Sequence, residues 1–233
     1  MLTIMPKKND GKIKISPSSL ALYRDCPRCF WLQMNEGVKR PSGPMSTLPN
    51  GVDYTLKNYF DHWRKDGGHP PLLHDKLKKI GARLLDDEAK IAKFRSRSFG
   101  IFDETAGAYF QGMLDDALEL DSGATIPLDN KTKGFPPGDP HPSYAYQMSA
   151  YTLFLRENGI KTENTAYLVY WYFDHKNMDL DHPLAFNVSL IKVNTDPDGA
   201  LKTFREAVET LKEPLPPPGK TCAFCAYREA IQD

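Results

Sequence analysis

The sequence predicts an α/β fold whose core sheet begins near Ala108, on three observations. Helical periodicity dominates the first hundred residues. Two adjoining β-rich stretches are split by Asp121-Ser122-Gly123, a turn composition. A helix, two strands and a last helix then follow, an order that points to an α/β domain.

Taken in order, residues 12–15 alternate like a short strand. Ser16-Pro17-Ser18-Ser19 supplies a cap and a first-turn proline for a helix running through Leu20, Leu22 and Tyr23 into residues 26–32. Residues 39–49, rich in Pro, Ser and Gly, read as a loop. A helix over 50–65 places Val52, Leu56, Tyr59, Phe60 and Trp63 at helical spacing. A second over 75–97 aligns Leu77, Ile80, Leu84 and Ile91, leaving Lys76, Lys78, Lys79 and Arg83 as a solvated face. Residues 108–120 and 124–131 form the strands of a hairpin that opens the core sheet, and 134–142 a loop. A helix over 143–158 stops at Gly159, strands follow over 165–173 and 184–193, and a last helix covers 198–212 before the proline run 214–218.

The chain has 233 residues, enough for one domain with its own core. Its N-terminus is short and polar, and no apolar stretch approaches the ~20 residues of a membrane span, so the sequence reads as soluble and cytoplasmic. Thirty Lys plus Arg balance thirty Asp plus Glu. Zero formal charge argues against a protein that coats nucleic acid non-specifically, since such binding rests on phosphate neutralisation. A local positive groove on a neutral molecule stays compatible with it. The four cysteines form two C-x-x-C pairs, Cys26 with Cys29 and Cys222 with Cys225. Without a secretory leader that spacing points to metal binding rather than disulfides.

The chemistry concentrates between Gly112 and Gly134, GMLDDALELDSGATIPLDNKTKG. On a strand, Asp129 and Lys131 face one side. Asp115, on the partner strand, can approach them. Two carboxylates beside a lysine suit phosphodiester hydrolysis, because carboxylate oxygens are what hard Mg²⁺ prefers, and Lys131 would orient a water and counter developing charge. Seen alone, D-x-K fits an exposed charged hairpin equally well. Gln147 and Tyr151, four apart, share a face of the following helix.

In that order, Gly-x-x-Asp (Gly112 to Asp115), D-x-K (Asp129 to Lys131) and Q-x-x-x-Y (Gln147 to Tyr151) resemble the PD-(D/E)XK nuclease superfamily. In particular they resemble its RecB and AddB nuclease domains and the CRISPR-associated RecB-like exonucleases. The resemblance implies a restriction-endonuclease-like core with a mixed central sheet flanked by helices, Mg²⁺ or Mn²⁺ at Asp115 and Asp129, and activity on single-stranded or end-containing DNA, with a helicase or other DNA-processing protein as a partner. The family often carries a further metal-ligating His four residues after a helix-starting Gly; here Gly51 is followed by Thr55. Asp53 is the nearest hard-cation ligand, although a helix's first turn also favours an acid, and His62 lies over two turns further on.

Those relatives bracket the core with one cysteine before and three after, ligating an iron–sulfur cluster; this chain has two and two. The resemblance favours [4Fe–4S], and paired C-x-x-C is equally good zinc spacing. The implied organisation is a tail (1–15), a RecB-like nuclease domain with a helical N-terminal part (16–213) and a cysteine-containing segment (214–233) packed with residues 20–32, the four thiols joining the two ends. Two other functions fit the same residues: a non-catalytic DNA-binding or assembly subunit, and a restriction-type endonuclease.

Overall fold

A computed structural model describes residues 11–41, 47–65, 67–176, 181, 183 and 185–230. The chain runs β1 (Lys14–Ile15), α1 (Pro17–Asp25), α2 (Pro27–Asn35), α3 (Thr47–Lys65), α4 (Pro71–Lys79), β2 (Ala82–Leu84), α5 (Glu88–Phe94), β3 (Gly100–Asp103), β4 (Ala108–Gln111), β5 (Asp116–Leu120), β6 (Thr125–Lys133), α6 (Pro142–Glu157), β7 (Thr165–Tyr172), β8 (Asn187–Asn194), α7 (Pro197–Lys212) and α8 (Ala223–Ala230). A five-stranded mixed sheet has the order β2-β5-β6-β7-β8, and a smaller sheet the order β1-β4-β3. Strands β6 and β7 are parallel and joined through α6; their neighbours pair antiparallel. The expected mixed sheet with flanking helices is the fold.

Strand β7 shows why both faces of the large sheet are covered. Ala166, Leu168 and Tyr170 enter one apolar cluster with α6 and α7, while Tyr167, Val169 and Trp171 enter another with Leu56 and Phe60 of α3 and Leu73 and Leu77 of α4. Alternate residues of a strand point to opposite sides, so an unbroken apolar run is what a doubly covered strand requires. Helix α7 contributes Ala200, Phe204, Ala207, Val208 and Leu211 from one stripe, each large side chain worth about 1.5–3 kcal/mol on burial.

Several sequence expectations are corrected. The single helix read from Ser16 to Leu32 breaks at Cys26, which is extended (φ −157°, ψ 105°) and serves as the C-cap of α1 and the N-cap of α2. Pro27 enforces the break, because a proline keeps the residue before it out of helical conformation. The helix read over 75–97 divides into α4, β2 and α5. Gly81, at φ +62°, ends the first piece, and Arg83 lies in a strand opposite Glu119 rather than on a helix. Helical spacing misled here because Leu77 and Leu84 share a cluster, one from a helix and the other from a strand. Lys76, Lys78 and Lys79 are solvent-exposed, as expected. The long strand 108–120 is two strands in two sheets, so the core sheet begins at Ala82, and β3 and α8 were not foreseen. Helix α3 starts at Thr47, inside the predicted loop 39–49; residues 42–46 of that loop, residue 184 at the start of the predicted strand, and 1–10 and 231–233 of the two terminal segments lie outside the described residues.

Candidate active site

Strand register places the site. Asp116 pairs with Leu128 across the antiparallel β5–β6 ladder, so Asp115, the residue just before β5, falls opposite Asp129. Cross-strand neighbours share a face, and Lys131 follows two residues on. Its Nζ stands 2.6 Å from Asp129 Oδ2, donates to Gln147 Oε1 at 3.3 Å and lies 4.6 Å from the Tyr144 ring centre. Gln147 Nε2 donates to the Tyr151 hydroxyl at 3.1 Å. The crossover helix α6 thus lays its Gln147–Tyr151 face over the D-x-K strand. Asn130, between the two charged residues, points the other way and accepts from Trp171 Nε1 at 2.8 Å.

Asp129 is 4 % exposed, and its Oδ2 lacks a hydrogen-bond donor: the Lys131 contact is close but not directed as a hydrogen bond. Burial pushes its pKa up; Lys131 opposes the shift, and the negative charges of Asp115 and Asp53 reinforce it. A buried carboxylate with an orphaned oxygen and two carboxylates within electrostatic reach fits a hard divalent cation, which prefers such oxygens. Burial, helped by Asp129, also raises the Tyr151 pKa, so its phenol stays protonated.

Asp53 lies in the second turn of α3, since the helix begins at Thr47. It is bridged to Asp115 by Lys57, whose Nζ sits 2.9 Å from Asp53 Oδ2 and 3.1 Å from Asp115 Oδ1. Burial lowers the Lys57 pKa, but the two carboxylates prevail and the net shift is upward. Thr55 donates back to Gly51 O and is solvent-exposed. His62 lines a separate cleft with Asp61, Lys65 and Arg95.

Beneath Asp115 lies a charge network that the motif reading missed. Arg64 holds Asp116 in a fork, Nη2 to Oδ1 at 2.8 Å and to Oδ2 at 2.7 Å, and its Nη1 donates to Leu85 O. Arg95 grips Asp61 at 2.7 and 2.9 Å and donates through Nε to the Asp115 carbonyl at 2.8 Å. The available signal was the doublet Asp115-Asp116: strand alternation sends the second carboxylate into the opposite layer, where it must find a cation.

The four thiols meet in one buried cluster, with Sγ–Sγ distances of 3.8 Å (Cys26–Cys225), 3.6 Å (Cys29–Cys222) and 3.7 Å (Cys29–Cys225). No disulfide joins them. Burial raises the Cys26 pKa, but donation from the Gly219 and Cys29 amides brings it down to about 6.

A family-wide sequence comparison matches residues 55–230 to the PD-(D/E)XK nuclease superfamily. The match spans most of the chain, and the protein belongs to that superfamily. Among solved structures, SSO0001 is similar at 14% identity over 88% of this chain and 78% of its own, with a TM-score of 0.41. The alkaline exonuclease LHK-Exo from Laribacter hongkongensis is similar at 12% identity over 94% of this chain and 91% of its own, with a TM-score of 0.38. No curated protein matches the sequence. At such identities neither neighbour's activity transfers to this chain.

Proposed function

We propose that the protein is a Mg²⁺- or Mn²⁺-dependent deoxyribonuclease of the RecB-like branch, acting on single-stranded or end-containing DNA in an exonuclease-like manner. The observation that carries this is the pairing of Asp115 against Asp129 with Lys131 on the same face, Asp129 keeping one buried oxygen without a donor. Asp115 and Asp129 would hold the cation, with Asp53 the nearest further carboxylate. The bound ion supplies Lewis-acid activation of water and charge neutralisation at the phosphate. Lys131, already anchored by Asp129 and Gln147, orients the attacking water and offsets the charge growing on the phosphoryl oxygens. Gln147 fixes the ammonium, and the protonated Tyr151 fixes Gln147.

A cleft of about 450 Å³ adjoins Gln147 and Tyr151 and is lined by Lys14, Ser16, Ser18 and Arg97, groups suited to a phosphate backbone. It supports a strand path along the Gln147–Tyr151 face. The RecB-like assignment rests on the Q-x-x-x-Y face and the cysteines flanking the core, and a helicase or related DNA-processing partner follows from it. No described helix is long and apolar enough to cross a membrane; a cytoplasmic site of action is part of the same proposal.

The test is cleavage of 5′- and 3′-labelled single strands and duplexes by the purified protein with Mn²⁺. Asp129→Ala and Lys131→Ala are expected to lower the rate by about 10²–10⁴. Activity that survives either substitution refutes the reading, and discrete internal cuts on duplex DNA would replace the exonuclease by a restriction-type enzyme.

A further inference from the structure

We infer that Cys26, Cys29, Cys222 and Cys225 hold a single tetrahedral zinc ion, not the four-iron cluster that the family resemblance implies. The spacing of the sulfurs decides between them. Zinc–thiolate bonds of about 2.3 Å set tetrahedral neighbours roughly 3.8 Å apart, and three of the six sulfur pairs stand 3.6, 3.7 and 3.8 Å apart. All four sulfurs lie within 4.8 Å of one another. In a four-iron cluster each thiolate binds a different iron at the corner of a cube, with inorganic sulfide between the irons. The sulfurs then stand around a core of eight atoms, and this set encloses room for one ion.

The surroundings repeat a pattern suited to one dianionic tetrathiolate centre. Each C-x-x-C lies at the start of a helix: Cys26 caps α2 with the Cys29 amide 3.5 Å from its sulfur, and Cys222 immediately precedes α8. The Gly219 amide donates to Cys26 Sγ at 3.2 Å and Arg40 Nη2 donates to Cys222 Sγ at 3.3 Å. Amide donors and one guanidinium offset the excess negative charge that four thiolates leave on a divalent ion. Gly219 is required for the approach, because a Cβ there would sit 2.5 Å from Asp25 O and 3.1 Å from Cys26 Cα. Between divalent ions offered the same thiolates, zinc binds more tightly than ferrous iron. The ion would tie α2 to α8 across nearly the whole chain, a structural role independent of whether the protein cleaves DNA.

The test uses the full-length protein purified without oxygen from cells supplied with both iron and zinc. A colourless protein with one zinc per chain and no acid-labile sulfide is expected. Exchange with Co²⁺ should give the intense visible bands of tetrahedral cobalt–thiolate. Cys222→Ser should lose zinc retention; should it fail to fold, the cobalt spectrum of the wild-type protein still decides the geometry. A brown protein with iron and sulfide in equal amounts overturns the inference, as does a wild-type protein that retains no metal and whose four thiols all react with a thiol reagent while folded. Metal content is read without any nuclease assay, so loss of the proposed activity and loss of this site are separate results.

Discussion

Replacing Arg64 with Met isolates the energetic weight of the charge pair under Asp115. The two side chains are 4 % and 3 % exposed and meet at 2.7 Å. Burial raises the Asp116 pKa, while Arg64, the Ala117 amide and Arg95 pull it down. Buried ion pairs often fall short of repaying their own desolvation, and the upward net shift lies in that direction. Removing Arg64 leaves Asp116 with its amide bond and an Arg95 contact at 3.7 Å. Breaking a buried pair on one side costs about 3–5 kcal/mol. For a chain of this size that lowers Tm by roughly 6–20 °C, at about 2–4 °C per kcal/mol. A raised carboxyl pKa binds protons in the native state that the unfolded state has released, so stability falls as pH rises from the ordinary carboxylate range through the folded value. The Arg64→Met deficit should therefore widen with rising pH and narrow as Asp116 is allowed to protonate. Urea unfolding of the variant across pH gives the measurement, with Arg64→Met/Asp116→Leu expected to recover most of the loss. A deficit under about 1 kcal/mol, or one that grows as pH falls, refutes the reasoning.

Lys57→Met removes the ammonium that competes with a cation for Asp53 and Asp115; a partly exposed pair is worth about 0.2–1 kcal/mol, so calorimetric Mn²⁺ affinity should rise roughly 1.5–5-fold. Asp103, whose pKa is depressed first by Arg205 and then by the Ala106 amide, should lose about 1–2 kcal/mol on conversion to Asn. That loss is fully expressed above the ordinary carboxylate range and disappears as pH falls through the lowered value, which urea unfolding at neutral and acid pH would reveal. Gly81→Ala forces a side chain onto a residue at φ +62° and 2.6 Å from Asp121 Oδ2, and thermal unfolding should register a loss of about 1–2 kcal/mol.

The elements legible in the sequence were those whose periodicity and punctuation agree. Helix α6 has Pro142 at its first position and Gly159 at φ +74° just past its end, and the residues between them form one helix. The hairpin carried its own turn, and from it the opposition of Asp115 and Asp129 follows by alternation. Hidden features depended on partners distant in sequence. Short β2 becomes a strand because β5 offers it a ladder, and nothing in Ala82-Arg83-Leu84 distinguishes it from a helix end. Likewise, Lys57 is an ordinary i,i+4 partner of Asp53 until the fold brings Asp115 to the same ammonium. The four thiols were readable as a set because C-x-x-C is a local spacing, but the distances that bear on their metal exist only once the two ends of the chain meet.

Asp116 and Asp129 occupy neighbouring strands, both are buried, and the fold treats their charge differently. Asp116 receives a guanidinium fork and an amide, the full complement a buried carboxylate needs. Asp129 receives one ammonium, misaligned at one oxygen, with two further carboxylates adding repulsion. Burial raises the pKa of both, but Asp116 is held by aligned donors, whereas Asp129 keeps room for a further positive charge. Asp129→Asn should therefore stabilise the cation-free protein at neutral pH, the gain fading as pH falls into the ordinary carboxylate range where the native Asp129 is also neutral. Saturating Mn²⁺ should stabilise the wild type in turn, by about 2.7 kcal/mol at a hundred times Kd. That corresponds to a Tm rise of roughly 5–11 °C. Asp129→Asn should abolish most of the rise while leaving any zinc retained by the thiols unchanged. An equal Mn²⁺ shift in wild type and Asp129→Asn would mean that the cation binds elsewhere and that the orphaned oxygen has no part in holding it.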